Sequence, residues 1–559
     1  MSFIYTYVDM HIVRSKFKAK SGKVYETVLL RESYREGNKV KKRTIANLTN
    51  CSEQEIAAIE LALRHKGNLT DPGFQNNPTI KEGLSVGGVW VIYEMAQRLG
   101  IAGALGNSRQ GQLALWQIIA RVLEQGSRLS AVRLGKTYAI ASTIGLNKGF
   151  NEDDLYKNLT WLCHNQAKIE DKIFFSKPEE TPPDLFLYDV TSSYLEGDKN
   201  ELGEWGYNRD KKKGKKQIVI GLLTNENGAP VTTEVFKGNT QDTSSFASQI
   251  QKCKERFKCE NVTLVGDRGM IKSGQIKDLK KHGFHYITAI TKAQIETLIK
   301  RDVIQYTLFD DRLIEIEHED VRYLLRRNPI RAEEIAKSRA SKQKSIEDLV
   351  KRQNTYLQEH PKAKAETAQK KINAKINRLN LKAWFSGSIQ DRVLTLNIDN
   401  NALVEESRLD GCYVIKTDLV KSDISAQSVH ERYKDLAMVE SAFRTVKSDL
   451  DIRPVYVRKE ENTRGHVLVV MLAYMIVREL DKTWQHLYLT VEEGLRSLST
   501  LTMLEVSYDK EKIFQNIPEP REQNKRMLGA LNISLPKILA RNHAHVVTKK
   551  SRRDSVLKN

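Results

Sequence analysis

The sequence predicts a multidomain α+β protein: a small β unit, an all-α region, and a mixed α/β core that carries an inserted subdomain. Three observations predict it. The 559 residues exceed what one compact domain holds, so three or four units of roughly 100 to 200 residues are expected. Apolar periodicity shifts between two and 3.6 residues along the chain, the signatures of strand and helix. Composition, at 40% hydrophobic and 29% charged, is that of a globular protein and argues against disordered, collagen-like and membrane classes. The longest apolar run, 467–477, falls short of the roughly 20 residues a bilayer needs. No basic-then-apolar leader opens the chain, so the expected compartment is the cytoplasm, with no membrane partner. Five cysteines without a Cys-x-x-Cys pair argue against a disulfide framework and a zinc ribbon. Lys+Arg 90 against Asp+Glu 70 gives a formal charge of +20, which favours a polyanionic partner, nucleic acid first.

The elements follow in order. Residues 1–50 read as a small basic β unit, because 23–31 alternates at period two and turn residues at 36–39 precede 40–45. Ser52 with Glu55 is a capping-box pattern, and Ile56, Ile59 and Leu63 continue at helical spacing. Residues 51–178 therefore read as helical, a candidate DNA-end-binding region, with amphipathic segments at 89–99, 112–124, 129–140 and 154–168. Strands are expected at 185–194, 217–224 and 231–236, with the turn Asn225-Glu-Asn-Gly228 between the last two. A helix at 243–257, a strand at 261–266, a helix at 273–281 and a strand at 284–290 complete the order β-β-β-α-β-α-β. That order is the one of a ribonuclease-H-like core, assigned to 179–300 and 417–510. Residues 301–416 fit the core poorly. Helical spacing over 330–382 and alternation over 392–416 make them an inserted subdomain, helical plus β. Helices resume at 426–450 and 463–480, and 511–559 is a basic C-terminal segment.

Chemistry points to carboxylates. Asp189 lies inside the apolar strand 185–194, where an unpartnered carboxylate is costly to desolvate, so it needs a partner such as a metal ion. Asp267 follows the apolar 262–266, at the strand-end rim where open α/β sheets collect ligands. Glu440 shares a helical stripe with Tyr433 and Lys447, since positions seven apart return to one face. If that helix packs beside the strand of Asp189, three carboxylates converge on hard divalent cations. Two metals about 4 Å apart serve in-line phosphoryl transfer without a covalent nucleophile. No phosphate loop, Gly-x-Ser-x-Gly elbow or His-Glu-x-x-His motif competes.

These residues resemble a family. Tyr188-Asp-Val-Thr-Ser-Ser-Tyr194, Phe236-Lys-Gly-Asn-Thr-Gln-Asp242, Val265-Gly-Asp-Arg-Gly269 and the helix of Tyr433, Glu440 and Lys447 are similar to DDE transposases of bacterial insertion sequences, in the insertion-sequence-four-type superfamily. The family's Tyr-x2-Arg-x3-Glu-x6-Lys signature is matched except that Leu436 stands at the Arg position, with Arg444 one turn beyond Glu440. The resemblance, over about 182–482, implies cut-and-paste DNA transposition. It implies Asp189, Asp267 and Glu440 as catalytic ligands of two Mg²⁺ ions, for which Mn²⁺ can substitute. It also implies terminal inverted repeats and target DNA as double-stranded partners, a homodimer in a synaptic complex, and a bacterial protein that associates with the nucleoid when bound to DNA.

Further DNA contacts are expected from Tyr433, Arg444, Lys447 and Arg268, and from Lys211, Lys212, Lys213, Lys215 and Lys216 in the connection between the first two core strands. Trp205 and Tyr207 are candidates for stacking on an unpaired or flipped base, with core packing as the other reading. Lys39, Lys41, Lys42, Arg43 and the tail 549–553 are candidates for terminal-repeat or nonspecific DNA binding, and His466 for a helix-start bond to backbone. The alternatives are a metal-dependent nuclease of the same fold without strand transfer, and a non-catalytic DNA-binding derivative.

Overall fold

The computed structural model describes residues 9–19, 22, 24–36, 39–64, 79–176, 183–508 and 512–539. The chain divides into two compact units, one of Met1–Gly83 with Met503–Asn516, the other of Leu84–Thr502 with Ile517–Asn559.

In the first unit β1 (Asp9–Lys18), β2 (Val24–Glu36) and β3 (Lys39–Asn47) form an antiparallel sheet in that order. The helix α1 (Glu53–Arg64) starts at the expected capping box: Ser52 N–H donates to Glu55 Oε2 at 2.7 Å, and Glu55 N–H to Ser52 Oγ at 3.3 Å. Its Ile56 is buried with Val28 and Leu48. Within the sheet Lys41 pairs with Glu36 and Arg43 with Glu32, so two cations of the basic strand are already matched. The strand β4 (Thr79–Ser85) follows.

The second unit opens with α2 (Gly87–Arg98), α3 (Ile101–Leu105), α4 (Arg109–Leu123), α5 (Arg128–Leu134), α6 (Ile140–Ile144) and α7 (Glu152–Phe174). Asn151 caps α7, accepting from the N–H groups of Asp153 and Asp154 at 2.9 and 3.1 Å while its own N–H donates to Asp154 Oδ2. These helices bury their apolar faces in the same core as Leu185 and Leu187 of the central sheet. The division between units therefore falls at 83/84 instead of 50/51, because the apolar faces of α2 to α7 are completed by the sheet and its helices.

Next come β5 (Leu185–Tyr194), β6 (Gln217–Asn225), β7 (Pro230–Lys237), α8 (Asp242–Glu255), β8 (Thr263–Gly266), α9 (Ser273–Lys281), β9 (His285–Ala289) and α10 (Lys292–Lys300). β5 pairs antiparallel with β6 and parallel with β8, which pairs parallel with β9. Strand alternation divides β5 between two cores: Leu185 and Leu187 on one face, Phe186, Tyr188 and Val190 on the other with Phe246 of α8. Gly221 on β6 makes room for this, since a Cβ there would lie 2.3 Å from Tyr188 Oη.

The interval 301–416 contributes β10 (Ile314–His318), β11 (Val321–Arg327), α11 (Pro329–Glu359), α12 (Ala365–Arg378), β12 (Phe385–Gln390), β13 (Val393–Ile398), α13 (Asn400–Ser407) and β14 (Cys412–Thr417). It does not form one separate block. β14, β11 and β10 extend the central sheet to eight strands in the order β10-β11-β14-β9-β8-β5-β6-β7. Only the middle of the interval stands on its own core, where Ile346, Ile372, Trp384 and Phe385 meet. A helix, α13, occupies part of the stretch whose alternation suggested continuous strand.

The chain ends with α14 (Ala426–Lys434), α15 (Leu436–Ser448), α16 (Glu460–Trp484), α17 (Val491–Ser499), β15 (Thr502–Tyr508), β16 (Lys512–Asn516) and α18 (Glu522–Ala530). The run 467–477 is buried throughout within α16. Gly465 sets the approach of α16 to α7, because a Cβ would lie 2.1 Å from Leu159 O. Besides the two-stranded sheet of β12 and β13, β16, β15 and β4 make a fourth sheet from segments more than 400 residues apart, a pairing no local pattern announces. Among the described residues no helix is long and apolar enough to cross a membrane. The basic tail 549–553 lies outside the described residues.

Candidate functional site

Backbone register brings the first two carboxylates together. Tyr188 of β5 stands opposite Gly266 of β8 in a parallel pair, so the next residues along are neighbours: Asp189, in the middle of β5, and Asp267, just past the carboxyl end of β8. Asp189 lies one residue beyond Tyr188, so it belongs to the sheet face of Leu187, and α15 packs against β5. Glu440 sits exposed on α15.

Asp189 is where the electrostatics concentrate. Burial pushes its carboxyl up to about 7, and repulsion from Asp267 and Glu440 adds to the rise; the Val190 N–H bond at 2.7 Å and the charge of Arg209 act against it. Asp267 is exposed; its Oδ1 accepts the Arg268 N–H at 2.7 Å and the Tyr433 hydroxyl at 3.4 Å. Burial, then Asp267, raises the Tyr433 phenol far above its ordinary range, so it stays a protonated donor.

The expected stripe of Tyr433, Glu440 and Lys447 on one helix needs correction. The helix breaks at Asp435, leaving Tyr433 on α14 and the other two on α15. Asp435 N–H still bonds Glu431 O, but Met438 N–H turns to Asp435 O at 2.8 Å, a tightened i→i+3 turn. Lys447 is paired with a different acid. Its Nζ donates to Asp210 Oδ1 at 2.8 Å.

The connection between β5 and β6 supplies the cationic surroundings. Lys211 and Lys213 are exposed, Lys212 Nζ lies 5.7 Å from the Tyr194 ring, and Lys215 pairs with Glu196 at 2.7 Å; Lys216 is half-buried. Trp205 is 60% exposed and Tyr207 82%, so neither is a core residue. Arg268 and Arg444 are exposed. His466 is buried on α16 with Nδ1 3.1 Å from Arg128 Nη2, so its partner is this guanidinium. Two residues escaped the sequence reading. Arg209 donates from Nη2 to both oxygens of Asp242, at 3.0 and 3.1 Å, and Asp210 is buried beside Lys447. Asp242 closes the segment 236–242, the signal that points to it.

A desolvated carboxylate with two acidic neighbours and no directly bonded cation is the oxygen-donor chemistry that suits hard divalent ions. Among the described residues no three His, Cys, Asp or Glu side chains are gathered tightly enough to form a ready cage.

Fold and site thus define a mixed α/β protein whose central sheet sets an acid within one strand beside another just past the end of its parallel neighbour. The family described as Transposase DDE domain matches residues 180–476, more than half of the chain. The chain belongs to the DDE transposases of bacterial insertion sequences. Residues 12–75 match the IS1634 family transposase, N-terminal domain. Its function is DNA transposition, and it is an enzyme of DNA cleavage and transfer. The family generally uses divalent metals. None of the curated proteins compared matches the chain. Among solved structures, the cryo-EM structure of the piggyBac transposase synaptic complex with hairpin DNA is 8% identical, covering 75% of this chain and 69% of the other at a TM-score of 0.34. That likeness is too distant to assign a shared fold.

Proposed function

We propose that the protein binds the ends of its own insertion sequence, cleaves the DNA there and joins the 3′-OH to target DNA, in cut-and-paste transposition. Asp189, Asp267 and Glu440 are the catalytic carboxylates. The observation that carries this reading is the rise of the Asp189 carboxyl among two acidic neighbours delivered by a second strand and a helix. The order β5-β6-β7-α8-β8-α9-β9, with α15 against β5, supports a ribonuclease-H-like core.

Mg²⁺ ions held by these carboxylates, with Mn²⁺ as substitute, would supply Lewis-acid activation of the attacking and leaving oxygens. The chain's own residues do the rest. Asp189, which must be ionised to act as a ligand, is held in orientation by the Val190 N–H. The neutral Tyr433 hydroxyl holds Asp267 from α14. Lys211, Lys212 and Lys213 line one end of the sheet and neutralise backbone phosphates without reading sequence. Trp205, exposed beside them, stacks on an unpaired base. Two ends must be cut and joined in concert, which calls for a homodimer in the synaptic complex.

The test is incubation of the purified protein with Mg²⁺ or Mn²⁺ on labelled duplex carrying the element's ends. Glu440→Gln and a chelator serve as controls. End-specific nicks with joined product, lost in both controls, support the proposal. Nicks without joined product would reduce it to a nuclease, and binding without cleavage would remove the catalytic role.

A further inference from the structure

Asp210 lies in the connection between β5 and β6, immediately before the lysine run, yet its side chain is only 1% exposed. Four groups surround it. Lys447 Nζ from α15 donates to Oδ1 at 2.8 Å, and Arg453 Nη1 donates to the same oxygen. The N–H of Tyr194, the last residue of β5, donates to Oδ2 at 3.2 Å. Asp210 N–H in turn donates to Asn208 Oδ1 at 2.9 Å. One residue earlier, Arg209 N–H donates to Ser192 Oγ at 2.9 Å, a second tie to β5. The network therefore joins three segments: the strand of Asp189, the basic loop, and the helix of Glu440, two turns before Lys447. Lys447 is 11% exposed at the side chain, a poor disposition for a cation meant to meet a phosphate in solvent.

We propose that Asp210 is a positioning residue of the transposition site: by binding Lys447 and Arg453 it fixes α15, and with it Glu440, against the end of the Asp189 strand, and it withdraws Lys447 from DNA. This rests on the reading of Asp189 and Glu440 given above. A buried anion with two cations and a backbone N–H is satisfied by the chain itself, and it holds one of the three Lys447 donors on a side chain only 11% exposed. A displacement of about 1 Å between catalytic groups is enough to cost roughly 100-fold in rate.

The experiment separates binding from chemistry. End-DNA affinity is measured against salt concentration for the wild type, Lys447→Met, Lys213→Ala and Asp210→Asn, together with Mn²⁺-supported cleavage and thermal unfolding of each. Lys213→Ala is expected to lower the log–log salt slope by about 0.9, the value for one phosphate that the protein no longer neutralises. Lys447→Met is expected to leave that slope unchanged while cleavage falls at least about tenfold at saturating DNA. The double variant Asp210→Asn/Lys447→Met is expected to cleave no worse than Asp210→Asn alone, because the two act as one unit. A salt slope lowered in Lys447→Met as in Lys213→Ala would make Lys447 a phosphate ligand and overturn the proposal. So would additive losses in the double variant. The slope needs no catalysis, so a wild type that binds but does not cleave would refute the functional reading while still reporting on Lys447.

Discussion

Two aspartates near the same strand, Asp189 and Asp210, are both removed from water, and the chain treats them in opposite ways. Asp210 receives two cations and a backbone N–H. Asp189 receives one N–H and faces two further acids, so its carboxyl rises to about 7. Buried charge is tolerated where it is paired and hydrogen-bonded, and otherwise the group neutralises itself or waits for something from outside. The first is a structural tie and the second an open valence, which is why the open one is the better candidate for metal chemistry.

The sharpest way to break that comparison is to neutralise each aspartate in turn. Asp189→Asn should abolish end cleavage, by about 10³-fold or more, the scale on which losing one member of a catalytic set acts. Single-turnover cleavage of a pre-bound end checks it. Asp210→Asn should also cost stability, about 3 kcal/mol, because it leaves the largely buried Lys447 and the partly exposed Arg453 without their counter-charge. Chemical denaturation followed by tryptophan fluorescence measures this.

A third prediction uses pH. The folded Asp189 carboxyl is raised above its unfolded value of 3.8, so its charged form penalises the fold above about pH 7, and stability is regained as pH falls through 7 towards 3.8. In chelator, Asp189→Asn should therefore melt a few degrees above wild type at pH 8, and the gap should shrink by pH 5. A gap independent of pH would show that the carboxyl is not strained by its neighbours. Divalent-ion binding should weaken over the same window, since the ion must displace the proton. The smallest effect belongs outside the comparison: Trp205→Ala, on a side chain 60% exposed, should change stability by less than about 0.5 kcal/mol. Its effect should appear only in affinity for DNA ends with unpaired bases.

The sequence exposed the site's acids more readily than their partners. β5 runs over 185–194 and α9 over 273–281, the spans read from alternation and helical spacing, because both are bounded by clear polar or turn residues. Asp189 and Asp267 stood out as candidates because a carboxylate in or just after an apolar strand is conspicuous. Asp210 was not, since it sits among Asn, Arg and Lys in what reads as a solvated loop, and only the fold buries it. The break at Asp435 was hidden for a related reason: the seven-residue spacing survives in sequence, whereas the ladder changes at one hydrogen bond. β1 and the union of β4 with β15 escaped because their partners are supplied by the fold and not by local spacing.

The extension of the central sheet by β14, β11 and β10 has a consequence for how the protein is made. Glu440 follows Asp267 by 173 positions, and closing so long a loop in one step costs about 4–5 kcal/mol of chain entropy. Because β14 returns to pair with β9, the excursion is brought back into the sheet at Thr417, only nine positions before α14 begins at Ala426. The last acidic group is thus delivered by a short final step, after the intervening chain has been synthesised and folded. On the proposed roles of the three carboxylates, a ribosome-bound fragment that already displays both aspartates lacks the third, so competence to cut DNA waits for α15 to be made.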